Sequence, residues 1–333
     1  PQEWLTVVAG LGGLLLSFLA GAQLDRKRLS GEWRSAAFIG LLSFGLPFLA
    51  GSAIAHWVLG WEERASLVAG VVLSETGIAV VFALLVEESI SDSAIGQRVL
   101  AATLATSFGT AVAVSVVFFA PDLDIVLFTV AAIIAIAAMP RLSARFVEGA
   151  LGRAASANAA RLALGALILL LWLGERSNEP AILPAFLLGI VMADHFRANP
   201  VEAKRFRTLT FAVFAPAFFV GIGLALDLSA ASGALGAVLL LLAVKLVSKA
   251  VGVGPAARRV LRANRETSLM VLMLSTGLTF GAIAAIEAHD QGFVDSEQLS
   301  VLLAVVAATA VVPTLVAQRG IIARAPWPRD AED

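Results

Sequence analysis

Runs of about 20 mostly apolar residues follow one another along nearly the whole chain, and no other feature of the sequence constrains the fold as tightly. A helix that crosses roughly 30 Å of hydrocarbon needs about that many residues. Eleven spans are read, over residues 5–24, 36–58, 65–86, 99–119, 125–139, 162–173, 181–193, 209–226, 235–253, 268–286 and 299–317. Length alone would also allow two soluble domains in 333 residues, but 59% of the chain is hydrophobic and 15% charged, with a mean hydropathy of +0.89. Soluble domains carry about a quarter charged residues. The expectation is an all-α polytopic membrane protein embedded in the lipid bilayer.

Loop charge sets the topology. Arg26, Lys27, Arg28 and Arg34 follow the first span; Arg98 precedes the fourth; Arg141, Arg145, Arg153 and Arg161 follow the fifth. Arg197, Lys204, Arg205 and Arg207 follow the seventh; Arg258, Arg259, Arg262 and Arg265 follow the ninth; Arg319, Arg324 and Arg329 follow the eleventh. Only Arg64 and Arg176 fall on the opposite side. By the positive-inside rule the carboxyl terminus is cytoplasmic, which suggests a bacterial-type inner membrane protein. Reading the sixth and seventh spans as a hairpin that does not cross would spoil the asymmetry, so eleven are kept. The net charge of -1 gives no indication of a nucleic-acid partner. Without cysteine there is no disulfide framework, and His56, His195 and His289 are scattered near span ends, where a solvated or headgroup-facing ring is expected. No phosphate loop, nucleophile elbow or catalytic triad is present, so no enzyme and no cofactor is expected. No basic segment precedes a short apolar run, and Pro1 is expected to lie inside a longer chain.

The two halves of the chain resemble one another at an offset of about 202 residues. Segment 18–25 (FLAGAQLD) parallels 220–227 (VGIGLALD), Ser66-Leu67 aligns with Ser268-Leu269, and 73–77 (LSETG) resembles 274–277 (LSTG). Asp92-Ser93 and Val99-Leu100 match Asp295-Ser296 and Val301-Leu302. An odd number of spans separates the copies, so they cross in opposite directions, the inverted repeat of secondary transporters with a site near the midplane. Repeat one is placed at about 5–119, linking helices at about 123–195 and repeat two at about 207–318, within a single transporter domain. The third and tenth spans share a mid-span cluster of Ser74, Thr76 and Gly77 in one and Ser275, Thr276 and Gly277 in the other. Glycine weakens a helix and small hydroxyls offer the backbone other partners, so two crossed discontinuous helices are expected. Small residues that merely permit close packing are the alternative reading.

Three charges have no reason to be in lipid. Glu75 and Lys245 each stand eleventh in their spans, and Lys249 follows Lys245 by one turn. Each costs about 2.5 to 3.5 kcal/mol at mid-membrane. They are expected to face the bundle interior, with Glu75 beside Lys245, either as a structural ion pair or as an exchanging site; Lys249 could instead snorkel toward the cytoplasm.

With this order of spans in place, the chain resembles the monovalent cation/proton antiporter superfamily, which includes the sodium/hydrogen exchangers. The likeness is carried by segment 18–25, the Ser74-to-Gly77 break, segment 215–227 (APAFFVGIGLALD) and Lys245 within 242–247 (LAVKLV). It implies the sodium/proton antiporter-like fold, with this chain corresponding to the third through thirteenth of thirteen helices. It further implies a homodimer in which a core, here about 36–119 and 235–317, moves against a scaffold to give alternating access. A monovalent cation and a proton are the implied substrates, and a lysine at the position of Lys245 lies near the ion-binding carboxylate. The chain departs from the family where an Asn-Asp or Asp-Asp pair usually stands, since the fourth span reads Ala105-Thr106-Ser107-Phe108-Gly109. Thr106 and Ser107 are therefore carried as site candidates beside Glu75, Ser74 and Thr76. Either Glu75 has taken over the carboxylate role, or cation/proton exchange is lost and the chain is a membrane scaffold or sensor. One carboxylate beside two lysines also leaves an anion or another solute open.

Overall fold

The computed structural model describes residues 3–22, 33–88, 90, 93–118, 123–148, 156–177, 181–261 and 263–322, and these form helices with no strand among them. Pro1, Asp25, Asp92, the basic residues at 26–28 and Arg153, Arg262, Arg324 and Arg329 lie outside the described residues. Among the described residues, six helical segments are long and apolar enough to cross a membrane. The chain divides into two compact units, residues 1–25 with 114–224 and residues 26–113 with 225–333.

The first unit contains α1 (Glu3–Ala22), α6 (Leu123–Glu148), α7 (Ser156–Ser177), α8 (Ile182–Ala198), α9 (Pro200–Leu209) and α10 (Ala215–Ala225). A π-helical turn, Thr210–Phe214, joins α9 to α10. Leu15, Phe18, Leu167, Leu188 and Met192 form part of its core. The closest approach is between α1 and α8. A Cβ on Gly21 would run into the carbonyl of Phe186, and one on Gly189 into the carbonyl of Phe18. Lipid supplies no hydrophobic drive between helices, so such backbone-to-backbone contact is how they gain packing energy.

Two boundaries differ from the apolar pattern. Helix α6 runs on through Arg141 and Arg145, and α9 takes in Lys204, Arg205 and Arg207, because helix geometry persists after the chain leaves its apolar stretch. Pro200 sits at the first position of α9, where its missing N–H costs no intrahelical bond. His195 is not the solvated ring expected from its place near a span end. Its Nε2 lies 3.0 Å from Oε2 of the buried Glu202. Phe18, Phe196 and Phe206 cluster nearby, with ring centroids 5.2 to 5.8 Å apart.

The second unit contains α2 (Trp33–Trp57), α3 (Glu63–Ser74), α4 (Ile78–Glu87) and α5 (Ala94–Val117), then α11 (Leu228–Gly233), α12 (Leu235–Arg258), α13 (Asn264–Ser275), α14 (Thr279–Asp290) and α15 (Ser296–Ala317). The series α2 to α5 recurs as α12 to α15, with starts at Trp33 and Leu235, Glu63 and Asn264, Ile78 and Thr279, and Ala94 and Ser296, each 201 or 202 residues apart. Helix α2 packs on α3 and α12, α12 on α13 and α15, and α14 on α3. Ser93 of the first matched Asp-Ser pair and Asp295 of the second stand at helix starts. Ser93 Oγ accepts from Gly96 N at 3.2 Å before α5, whereas before α15 Asp295 accepts from Gln298 N at 2.8 Å in a capping box.

The α1–α8 contact makes a testable contrast. Gly189→Ala forces backbone apart and should cost about 1 to 3 kcal/mol, as overpacking does. Gly165→Ala in α7, where nothing lies within 4 Å of the new methyl, should stabilise by about 0.5 to 1 kcal/mol. Thermal midpoints of the purified variants check both directions.

Candidate functional site

Both predicted breaks are present, and they meet. Helix α3 ends at Ser74 and α4 begins at Ile78; α13 ends at Ser275 and α14 begins at Thr279. The chain leaves the helix at Glu75 (φ -59°, ψ 146°) and at Thr276 (φ -67°, ψ 146°), nearly the same extended geometry. The equivalence therefore pairs Glu75 with Thr276 at the 201-residue offset of the flanking helices, one residue away from the match of the two Thr-Gly dipeptides. Each break strands backbone groups that lipid cannot satisfy. The two segments satisfy one another: Gly77 N–H donates to the Thr276 carbonyl at 3.0 Å, and Thr76 Oγ1 donates to the Leu274 carbonyl at 2.8 Å.

The hydroxyl candidates divide into those that bridge helices and those that turn inward on their own. Ser107 Oγ on α5 donates to the Thr76 carbonyl at 3.3 Å. Thr106 Oγ1 bonds mainly its own turn, at Ala102 O (2.9 Å), with a longer reach to Gly40 O on α2 (3.3 Å). Ser74, Ser275 and Thr276 donate to carbonyls of their own helices, at Val71, Val271 and Met273. These five side chains and that of Thr76 have no exposed surface, except Ser275 at 1%.

The charges are arranged unequally. Glu75, Lys245 and Lys249 are all fully buried. Lys249 does not snorkel; its Nζ donates to the Ser74 carbonyl (2.7 Å), Thr76 Oγ1 (2.9 Å) and Ser43 Oγ (3.0 Å). It thus places a cation at the negative C-terminal end of the half-helix α3. Lys245 Nζ has no hydrogen-bond partner among the described residues, and the Glu75 carboxylate, which lies beside the Leu278 and Phe280 backbone, is not hydrogen-bonded to it. They face one another over Gly277: a Cβ there would strike Lys245 Nζ and stand 2.5 Å from Glu75 Oε2, with Thr309 Oγ1 at 3.2 Å. A Cβ on Gly281, four residues on, would lie 3.3 Å from the same Oε2. The carboxylate therefore sits over a notch on the first turn of α14, the helix end that favours negative charge. No group of three or more metal-ligating side chains of the usual kind occurs among the described residues.

Ser43 and Thr309 complete this cluster and were not picked out from the sequence. The repeat offset carries the signal for both: 202 residues beyond Ser43 stands Lys245, and 202 beyond Ser107 stands Thr309.

Helical membrane proteins built on two crossed, interrupted helices with buried charge at the crossing form the class to which this structure belongs. Comparison with known proteins narrows the class. A family model described as "Sodium/hydrogen exchanger, transmembrane" matches residues 1–319, and the chain belongs to that family. It is 24% identical to the Methanocaldococcus jannaschii protein described as "Probable Na(+)/H(+) antiporter 3", over 97% of this chain and 85% of that relative. It is 22% identical to the "Na(+)/H(+)-K(+) antiporter GerN" of Bacillus cereus, over 77% and 68% respectively. Among solved structures, the sodium proton antiporter MjNhaP1 of Methanocaldococcus jannaschii at pH 8 shares the fold. Its TM-score is 0.68 with 13% identity, covering 93% of this chain and 82% of that one.

The Gly277 notch gives a second test. Gly277→Ala meets only the ends of two flexible side chains and a hydroxyl, so its midpoint should fall less than that of Gly189→Ala, where backbone is in the way. An equal or larger fall would mean that Lys245 and Glu75 cannot give way.

Proposed function

We propose that the chain is a secondary active transporter that exchanges a monovalent cation for protons, with Glu75 as the carboxylate that binds one or the other. The observation that carries this reading is a fully buried carboxylate held opposite a fully buried lysine, with no hydrogen bond between them, at the crossing of two broken helices. A buried charge without a close ion-pair partner is costly, and a group kept in that condition is poised to take up a proton or a cation. The relatives' descriptions as sodium, potassium and proton antiporters agree with that substrate class. On this reading the α2–α5 and α12–α15 series are inverted repeats forming the moving core of a homodimer. The crossing is alternately open to either side, the protein lies in an inner membrane, and its carboxyl terminus is cytoplasmic. Ser74, Thr76, Ser107 and Thr106 hold the break in shape, and Lys245 is the counter-charge that an arriving cation replaces.

A second reading is favoured by one observation: α5 offers Thr106 and Ser107, not a carboxylate, beside the crossing. It makes the chain either a transport-deficient scaffold or sensor of the same fold, or a transporter of an anion or other solute.

Proteoliposomes containing the purified protein and a pH-sensitive dye separate the readings. Glu75→Gln keeps size and hydrogen-bonding capacity but cannot titrate. Sodium-, potassium- or lithium-driven proton flux should be present in the parent and absent from Glu75→Gln, with midpoints within a few degrees because glutamine keeps an acceptor oxygen toward the α14 backbone. Parent-level flux in a folded Glu75→Gln removes Glu75 from the exchange; a parent silent with every ion tried supports the scaffold.

A further inference from the structure

Two lysines lie one turn apart on α12, both fully buried, yet they are treated in opposite ways. A lysine ammonium has three N–H donors and no acceptor. Lys245 uses none of them, whereas Lys249 fills all three, on the Ser74 carbonyl, Thr76 Oγ1 and Ser43 Oγ at 2.7, 2.9 and 3.0 Å. All three lengths lie within the hydrogen-bond range for N–H donors to oxygen. The three oxygens come from three separate places: a helix end, the broken segment after it, and α2. Thr76 Oγ1 donates its own hydrogen bond to the Leu274 carbonyl of α13 and presents a lone pair to the ammonium. Carbonyl and hydroxyl oxygens gathered round one positive centre, with no carboxylate among them, are the ligand set of a weakly hydrated monovalent cation.

We propose that Ser43, Ser74 and Thr76 form a monovalent-cation cage that the protein fills with its own Lys249 ammonium, and that Lys249 is a positioning residue for the crossing. A tethered cation does there what a bound ion would otherwise have to do, and it cannot leave. The crossing then keeps its shape whatever ions are in solution, and a mobile cation entering the site meets only Glu75. The cage differs from the Glu75–Lys245 notch in ligands and in helix end, so it does not depend on Glu75 taking part in exchange.

Removing the tether should expose the cage to free ions of ammonium size. The measurement is the thermal midpoint of the purified parent, Lys249→Ala and Lys249→Met, at equal ionic strength in choline, ammonium and potassium chloride. In choline both variants should melt roughly 5 °C or more below the parent, from the loss of hydrogen bonds to a charged group. Ammonium or potassium should restore at least half of that loss to Lys249→Ala, saturably. Lys249→Met, whose unbranched chain fills the space without charge, should not respond, and the parent should shift less than Lys249→Ala. A purely structural lysine would show no dependence on which cation is present. The same deficit for Lys249→Ala in all three salts overturns the proposal, as does a Lys249→Met as stable as the parent. If Lys249→Ala cannot be purified in choline, it is prepared throughout in ammonium and in potassium. Folded protein that is lost on exchange into choline supports the cage, and no folded protein in any salt overturns it.

Discussion

The hydrogen bond from Gly77 N–H to the Thr276 carbonyl is where the second unit closes on itself. A broken helix in lipid is tolerable only if the backbone groups it frees find partners, and here each break supplies partners for the other. Neither interruption could persist alone at that depth. The hydroxyls of Thr76 and Ser107 and the ammonium of Lys249 complete the accounting at the first break. At the second, the N-terminal turn of α14 faces the Glu75 carboxylate, with the Leu278 and Phe280 backbone beside it.

Much of this was legible before any coordinates. Apolar runs of bilayer length gave the helices, because lipid thickness is a fixed ruler. Glu75, Lys245 and Lys249 drew notice because ions do not stay in lipid without cause. Three things were hidden. The two Thr-Gly dipeptides suggested a pairing that backbone geometry displaces by one residue, since identical side chains need not occupy identical dihedrals. Ser43 and Thr309 look like ordinary small residues in a span until the repeat is used to project them onto Lys245 and Ser107. The fate of Lys249 could not be read from spacing, because a lysine one turn nearer a helix end can reach water or turn inward, and only the position of three oxygens decides.

The carboxylate in this chain stands on the interrupted segment itself, and α5 contributes hydroxyls to the crossing. Placing the charge at the break ties its environment to the backbone around it. Gly277 and Gly281 clear the space over α14 in which Glu75 and Lys245 face one another. Small movements of α14 would alter their separation.

The reciprocal contact of Gly21 with Phe186 and Gly189 with Phe18 bears on how the protein is made. Helix α1 is complete at Ala22, but α8 does not begin until Ile182. At about 5 to 20 residues per second, synthesis of the intervening chain takes roughly 10 to 30 s. Throughout that interval the glycine face of α1 sits in the bilayer without the backbone it was shaped to meet. The first unit therefore cannot consolidate in order of emergence: its opening helix must wait, held by lipid or by the insertion machinery, for a partner made more than a hundred residues later.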